Sequence, residues 1–329
     1  MNTSKFLFLS TLAVLGAATV GAATLFPVVM GGRWGYADKS GKIIVNPQFD
    51  RAEVFSEKLA AVRLGKWGYA DGTGNLAINP QFDKAGAFSD GLAAVAADNR
   101  YGYVGADGKY AINPQFDDAS AFAEGRAAVK MGHQWGFIEK SGKIVINPQF
   151  DEAADFSGGL AAVKMGKSYG FVDAAGKVVV NPQFENAGAF AEGLAAIRID
   201  KHWGFIDKMG KIIINPQFDD AGIFAKGLAP VRLGKVWGFV DPSGKFAVNP
   251  QFDDAGPFAE GLARVKLGGH WGYVDMQGKF VINPQFDAAM DFSNGLARVG
   301  LGGGISGNFI GRKVGYVDAA GKYVWNPNK

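Results

Sequence analysis

The sequence predicts an all-β fold made of tandem units of about 34 residues, each a small antiparallel sheet, and three observations predict it. An aromatic-Gly pair recurs at Trp34, Trp67, Tyr101, Trp135, Tyr169, Trp203, Trp237 and Trp271, with one step of 33 and then steps of 34. Around each pair run alternating segments such as WGYAD and KIIVN, and no window keeps a 3.6-residue period. Glycine makes up 48 of 329 residues, roughly twice its usual share, and that excess falls where tight turns are needed.

Taken in order, the chain opens with MNTSKFLFLSTLAVLGAATVGAA, one Lys before an apolar run that ends in small residues. This is the pattern of a secretory signal peptide over residues 1–23, cut near Ala22 or Ala23, and the run is short for an anchored membrane span. Residues 24–329 then read as one repeat domain of nine units, starting near 34, 67, 101, 135, 169, 203, 237, 271 and 314. The last step is longer because a Gly-rich insertion at 300–312 precedes the ninth copy, which begins at Val314.

Within a unit, the strand holding Trp-Gly runs to Asp-x-x-Gly-Lys, as in Asp38 to Lys42 and Asp241 to Lys245. The Asp bonds its own turn backbone and the Gly takes the left-handed conformation, so two strands meet in a hairpin. The second strand stops at Asn-Pro (Asn46-Pro47 through Asn326-Pro327), because proline has no N–H for a ladder. A connection Phe-Asp-x-Ala-x-x-Phe follows, with both aromatics expected to bury. Gly-Leu-Ala-x-Val makes the third strand. One unit buries too little apolar surface to stand alone, so each supplies part of the next one's core. The expected architecture is a β-solenoid or superhelical stack of three-stranded antiparallel meanders; the alternative is a closed β-propeller.

Composition narrows the function. The formal charge of +3 falls to +2 when Lys5 leaves with the signal, too small to imply nucleic-acid binding. No cysteine is present, which removes disulfides, thiol chemistry and cysteine zinc sites, and suits the periplasm or the exterior of a bacterium. After signal cleavage no integral membrane span is expected.

The motif Trp-Gly-Tyr/Phe-x-Asp-x-x-Gly-Lys, followed by Asn-Pro-Gln-Phe and Gly-Leu-Ala, resembles the bacterial WG-repeat (KWG-repeat) family over about residues 25 to 329. The resemblance implies an exported or interaction role and names no reaction. A looser likeness to the hairpin repeats of choline-binding cell-wall modules extends to architecture alone, since those units are shorter and lack the Asn-Pro-Gln-Phe step.

Candidate functional residues fall into few groups. The aromatic row Trp34, Trp67, Tyr101, Trp135, Tyr169, Trp203, Trp237 and Trp271 has the chemistry to bind sugar rings or quaternary ammonium groups, although equal spacing beside an invariant Gly is also what interlocking cores need. Lys42, Lys109, Lys143, Lys177, Lys211, Lys245, Lys279 and Lys322 form a recurrent turn lysine whose opposing acid makes a solvated face the simpler reading. His133, His202 and His270 are too far apart in sequence to suggest a metal site, and none is expected. Asp50, Asp83, Asp117, Asp151, Glu185, Asp219, Asp253 and Asp287 are near copies of one another, which suits turn caps better than a catalytic pair. Gly302 to Gly307 spells G-x-G-x-x-G without a βαβ unit. The insertion carries Ile305, Phe309, Ile310 and Arg312, a possible docking loop.

The expectation is therefore an exported, periplasmic or extracellular, non-enzymatic binding scaffold with no cofactor, whose partner is a protein or an envelope polysaccharide or peptidoglycan. A cell-wall-active enzyme or enzyme inhibitor, and a structural protein associating head to tail, are the alternatives.

Overall fold

The computed structural model describes residues 24–302 and 313–326. Its first three strands are β1 (Phe26–Met30), β2 (Arg33–Ala37) and β3 (Ile43–Phe49), hydrogen-bonded in that order. The next sheet holds four, β4 (Arg51–Ala52), β5 (Ala60–Leu64), β6 (Lys66–Ala70) and β7 (Leu76–Phe82), and this sheet is repeated seven more times. The units are thus four-stranded where a three-stranded meander was expected. The extra strand is the Phe-Asp-x-Ala connection, which pairs over two residues in most units, too few for a period-2 signal to register.

Both tight turns form as their residues require. The Asp38 carboxylate accepts the N–H groups of Ser40 and Lys42 at 2.8 and 3.1 Å, and Gly41 sits at φ 82°. At the opposite end of the sheet, Asp50, Asp117 and Asp219 accept the N–H of Gly65, Gly132 and Gly234 at 2.8, 2.6 and 2.6 Å. The recurring acids are therefore caps of the turn between the second and third strands of their own unit.

One contact explains both invariant dipeptides. Trp67 pairs with Phe82 and Tyr69 with Ile78, so Gly68 alone faces Asn79, Pro80 and Gln81 across a bulge. The fourth strand bends there onto the face of the third. In the seventh unit a Cβ on Gly238 would lie 2.6 Å from Val248 O and 2.7 Å from Pro250 N, closer than any side chain tolerates. Only glycine lets the chain cross. Having crossed, it pairs with the next sheet: Lys84, two residues after Phe82, lies opposite Ala96.

The core lies between neighbouring sheets. Tyr69, Ile78 and Phe82 of one unit bury against Phe88, Ala93 and Val95 of the next, with the Tyr69 and Phe88 ring centroids 4.9 Å apart. Equivalent turns also touch: Glu57 accepts the N–H of Gly91, Asp90 that of Gly125, and Glu124 those of Gly158 and Gly159, all at 2.8 to 2.9 Å. Equivalent points of successive blades meet in this way near the axis of a ring, so the short first strands form its inner edge.

The first and last described blades meet, which overturns the expected solenoid. Tyr316 donates its hydroxyl to Pro27 O at 3.0 Å, the Phe26 and Tyr316 rings are 5.4 Å apart, and Arg298 lies 5.4 Å over Trp34. Leu296, Tyr316, Val324 and Trp325 share one cluster with Phe26, Val28 and Ala37. The fold is a closed nine-bladed β-propeller. Repeat period is the same for a stack and a ring; the rotation between units decides, and no residue pattern spells that angle.

The seam has its own chemistry. Among the described residues the first blade lacks the inner strand that the other eight possess. Elsewhere that strand's backbone N–H bonds the second strand, as Glu53 does to Ala61 O and Gly222 to Pro230 O. In the first blade Tyr316 takes over this bond. Phe26 stands where the other eight second strands carry Ala60, Ala93, Ala127, Ala161, Ala195, Ala229, Ala263 and Ala297, and its ring meets Tyr316 as Phe55 meets Tyr36.

Two outcomes are expected in chemical denaturation. Gly238→Ala forces backbone apart and costs about 3 kcal/mol or more, whereas Gly227→Ala, in open space, costs less. At the seam, Phe26→Ala costs about 3 kcal/mol and Tyr316→Phe about 1, with the two effects non-additive because the side chains touch.

Candidate functional site

The aromatic row lies on the third strands, at the end next to the capped turn. It faces the blade interfaces: Trp203 and Trp271 are buried and the other six are half-buried. Four of the eight are already covered by cations of the chain, Lys84 over Tyr101, Lys164 over Tyr169, Arg264 over Trp271 and Arg298 over Trp34, at 5.2 to 5.4 Å. Little of the row's face is open to a ligand ring.

The register shows what surrounds each aromatic. In the fifth blade Glu152 lies opposite Lys164, Lys164 opposite Tyr169, and Tyr169 opposite Phe184, one line from the inner edge outward. Directly opposed residues share a face of the sheet. Lys164 Nζ lies 2.7 Å from Glu152 Oε1, and the Tyr169 hydroxyl donates to Glu152 Oε2. Burial works to raise the Glu152 carboxyl, but these two bonds outweigh it and hold it below the ordinary glutamate value.

The inner-edge position of this line changes charge from blade to blade. It is occupied by Arg51, Lys84, Asp118, Glu152, Asn186, Asp220, Asp254 and Ala288 in successive blades. Two cations thus lead an arc of acids around the inner rim. Burial raises the Asp220 carboxyl, against the Ala221 N–H and Arg232, and Asp254 pushes it further up; burial likewise raises Asp254. Desolvation also lifts Asp155 and Asp291 on the adjoining segment. Arg264 Nε sits 2.8 Å from Asp291 Oδ1, and its Nη1 donates to Ala289 O, an ion pair bridging the last two blades. The rim is charged, asymmetric and partly desolvated, suited to a polar partner with charges of both signs.

The other sequence candidates separate. The turn lysines stand on the far end of the sheets, their N–H groups donating to the turn Asp as at Lys42, Lys211 and Lys279. His133, His202 and His270 all lie at turns between the second and third strands, and His270 Nδ1 is 3.4 Å from Asp287 Oδ1. Ile305, Phe309, Ile310 and Arg312, and the signal segment 1–23, lie outside the described residues. Positions that recur do not reveal the inner-rim row. Its signal was the opposite: a position beside an invariant acid whose charge changes from unit to unit.

The family model described as the WG containing repeat matches residues 34–66, 67–101, 101–132, 135–168, 169–201, 203–237, 237–270 and 271–304. The chain belongs to the WG-repeat family. No curated protein matches it. Among solved structures, a eukaryotic initiation factor is similar to this WG-repeat propeller over 92% of this chain and 95% of its own, with TM-score 0.67 at 11% identity. AztD from Citrobacter koseri covers 91% and 92% with TM-score 0.48 at 12% identity. Hsv2 of Kluyveromyces lactis covers 59% and 75% with TM-score 0.41 at 9%. At such identity the first match shows the fold alone, and the scores of the other two carry no argument.

The raised inner acids set a pH dependence. A carboxyl whose folded pKa exceeds its unfolded value of about 3.9 costs stability above the folded pKa, and the cost fades as pH falls through that window. Asp220→Asn is therefore expected to raise the melting temperature at neutral pH, with the gain vanishing near pH 3. Asp241 has the opposite sign. The Ser243 hydroxyl bond holds it low, so Asp241→Asn costs stability at neutral pH and progressively less in acid. Paired melts of both variants from acid to neutral pH check the signs.

Proposed function

We propose that this WG-repeat propeller is an exported, non-catalytic binding scaffold of the bacterial envelope, and that a protein partner engages its charged inner rim. A repeat β-propeller is a binding or scaffold architecture. The observation that carries the finer reading is the inner-strand row, Arg51 and Lys84 followed by Asp118, Glu152, Asp220 and Asp254, a place where near-identical blades change charge. Export rests on the signal pattern of residues 1–23. The non-catalytic reading rests on how the polar departures are spread around a rim instead of gathered at one point. A polysaccharide partner is the second reading, and it draws on the aromatic row, which is buried or half-buried and has cations of the chain over four of its eight rings.

The test is retention on immobilised chain from an envelope protein extract, alongside isolated peptidoglycan and envelope polysaccharides, at low and high salt. One salt-sensitive protein is expected to be retained, and to be lost from the variant Asp118→Lys with Asp254→Lys while the melting profile is kept. Salt-resistant retention of a polymer instead, lost on substituting Trp237, would overturn the reading.

A further inference from the structure

One cross-strand pair on the inner rim departs from all the others. Along the arc of acids each carboxylate stands opposite a cation of its own second strand: Asp118 opposite Lys130, Glu152 opposite Lys164, Asp220 opposite Arg232 and Asp254 opposite Lys266. Asn186 stands opposite Arg198, Lys84 opposite Ala96 and Ala288 opposite Gly300. In the second blade Arg51 stands opposite Arg63. Directly opposed residues have Cβ atoms roughly 5 Å apart on one face of the sheet, and like charges there repel. The second blade alone carries that cost.

The carboxylates nearby do not cancel it. Asp50 accepts from Arg33 and from the Gly65 N–H, while Asp83 lies 3.2 Å from Lys66 and accepts the Asp98 N–H at 3.0 Å. Glu53 comes closest, its Oε1 4.0 Å from Arg51 Nη2, with both side chains at least half exposed. Arg63 donates its Nε to Gly65 O at 2.8 Å. Among the described residues its two Nη groups, which can fork onto a carboxylate, have no acceptor.

The fifth blade shows what this place accommodates. There the second-strand cation, Lys164, lies 2.7 Å from the Glu152 carboxylate, which also accepts the Tyr169 hydroxyl. Arg63, Arg51 and Trp67 hold the same three places in the second blade. The cation and the aromatic are kept, and the acid between inner edge and second strand is exchanged for another cation. A carboxylate arriving from outside would meet two planar guanidinium groups where Glu152 meets one ammonium.

We propose that Arg51 and Arg63 form the subsite for an acidic side chain of the partner, a Glu or Asp carboxylate carried on an exposed segment that enters the rim at the second blade. This rests on the reading that a protein engages the rim, and adds which end of the rim takes the partner's acidic residues. Glu152 selects a carboxylate as the group.

Calorimetric titration of the purified full chain with a hexaglutamate peptide at low salt tests the subsite. Binding is expected to weaken about tenfold in Arg51→Gln, the loss of one charge-assisted contact, and to vanish in Arg51→Glu. It should be unchanged in Lys109→Gln, at the far end of the sheet. Arg51→Glu also recreates the acid–base pair of the fifth blade, so its melting temperature at low salt is expected to rise, which shows that the variant folds. Hexaglutamate binding that survives Arg51→Glu, a fall in that melting temperature, or inorganic phosphate displacing hexaglutamate at matched ionic strength would each overturn the proposal. Any of these, with a protein still retained from the envelope extract, removes the subsite and leaves the binding reading standing; Arg51-dependent hexaglutamate binding with no protein retained does the reverse.

Discussion

Everything in this molecule depends on a strand crossing a glycine. The fourth strand passes so close to the third that a carbonyl and a proline ring nitrogen occupy the space of a Cβ, and the bend thrown there carries the chain into the next sheet after one linking residue. Trp-Gly and Asn-Pro, twelve positions apart, are two sides of this contact. The aromatic before the glycine is held at the same spot because it pairs with the Phe that ends the crossing. Proline suits the site because the bulge asks for no ladder N–H there. Packing, turn capping and blade order all follow from a chain that is stapled to its neighbour at every step.

Much of this was legible in residues. The Asp-x-x-Gly-Lys hairpins, the burial of both phenylalanines around the invariant Ala, and the capping role of Asp50 and its equivalents all stand as read, because each depends on local stereochemistry. What escaped was either too short or not local. The inner strand forms over two residues, below the length at which alternation is visible. Ring closure depends on a rotation per blade that is summed over the whole chain, and its residue-level trace is a single substitution of Phe26 into a column of alanines. A large residue in a small column is a cue that something neighbouring is missing, and it was present in the sequence from the start.

The site follows the same division. Recurrent aromatics attracted a ligand reading, yet recurrence is what a core made of copies demands, and the structure puts cations over half of them. The rim, in contrast, is built at a position that the fold leaves free. Arg51, Asn186 and Asp254 are interchangeable as far as the ladder is concerned, since their backbone does the pairing. In a repeat protein, constraint marks the scaffold, and freedom marks the surface on which function is written.

The seam has a consequence for the order of events as the chain folds. Eight junctions between blades are made by segments adjacent in sequence, so those blades can assemble as soon as each is synthesised. The ninth joins Phe26 and Pro27 to Tyr316, 289 residues away in the case of the proline. That junction has the highest loop-closure entropy in the molecule and has to come last. Until it does, the first blade waits with Val28 and Phe26 uncovered, an apolar sheet edge exposed for nearly the whole of translation. That open edge is where aggregation of this chain would begin.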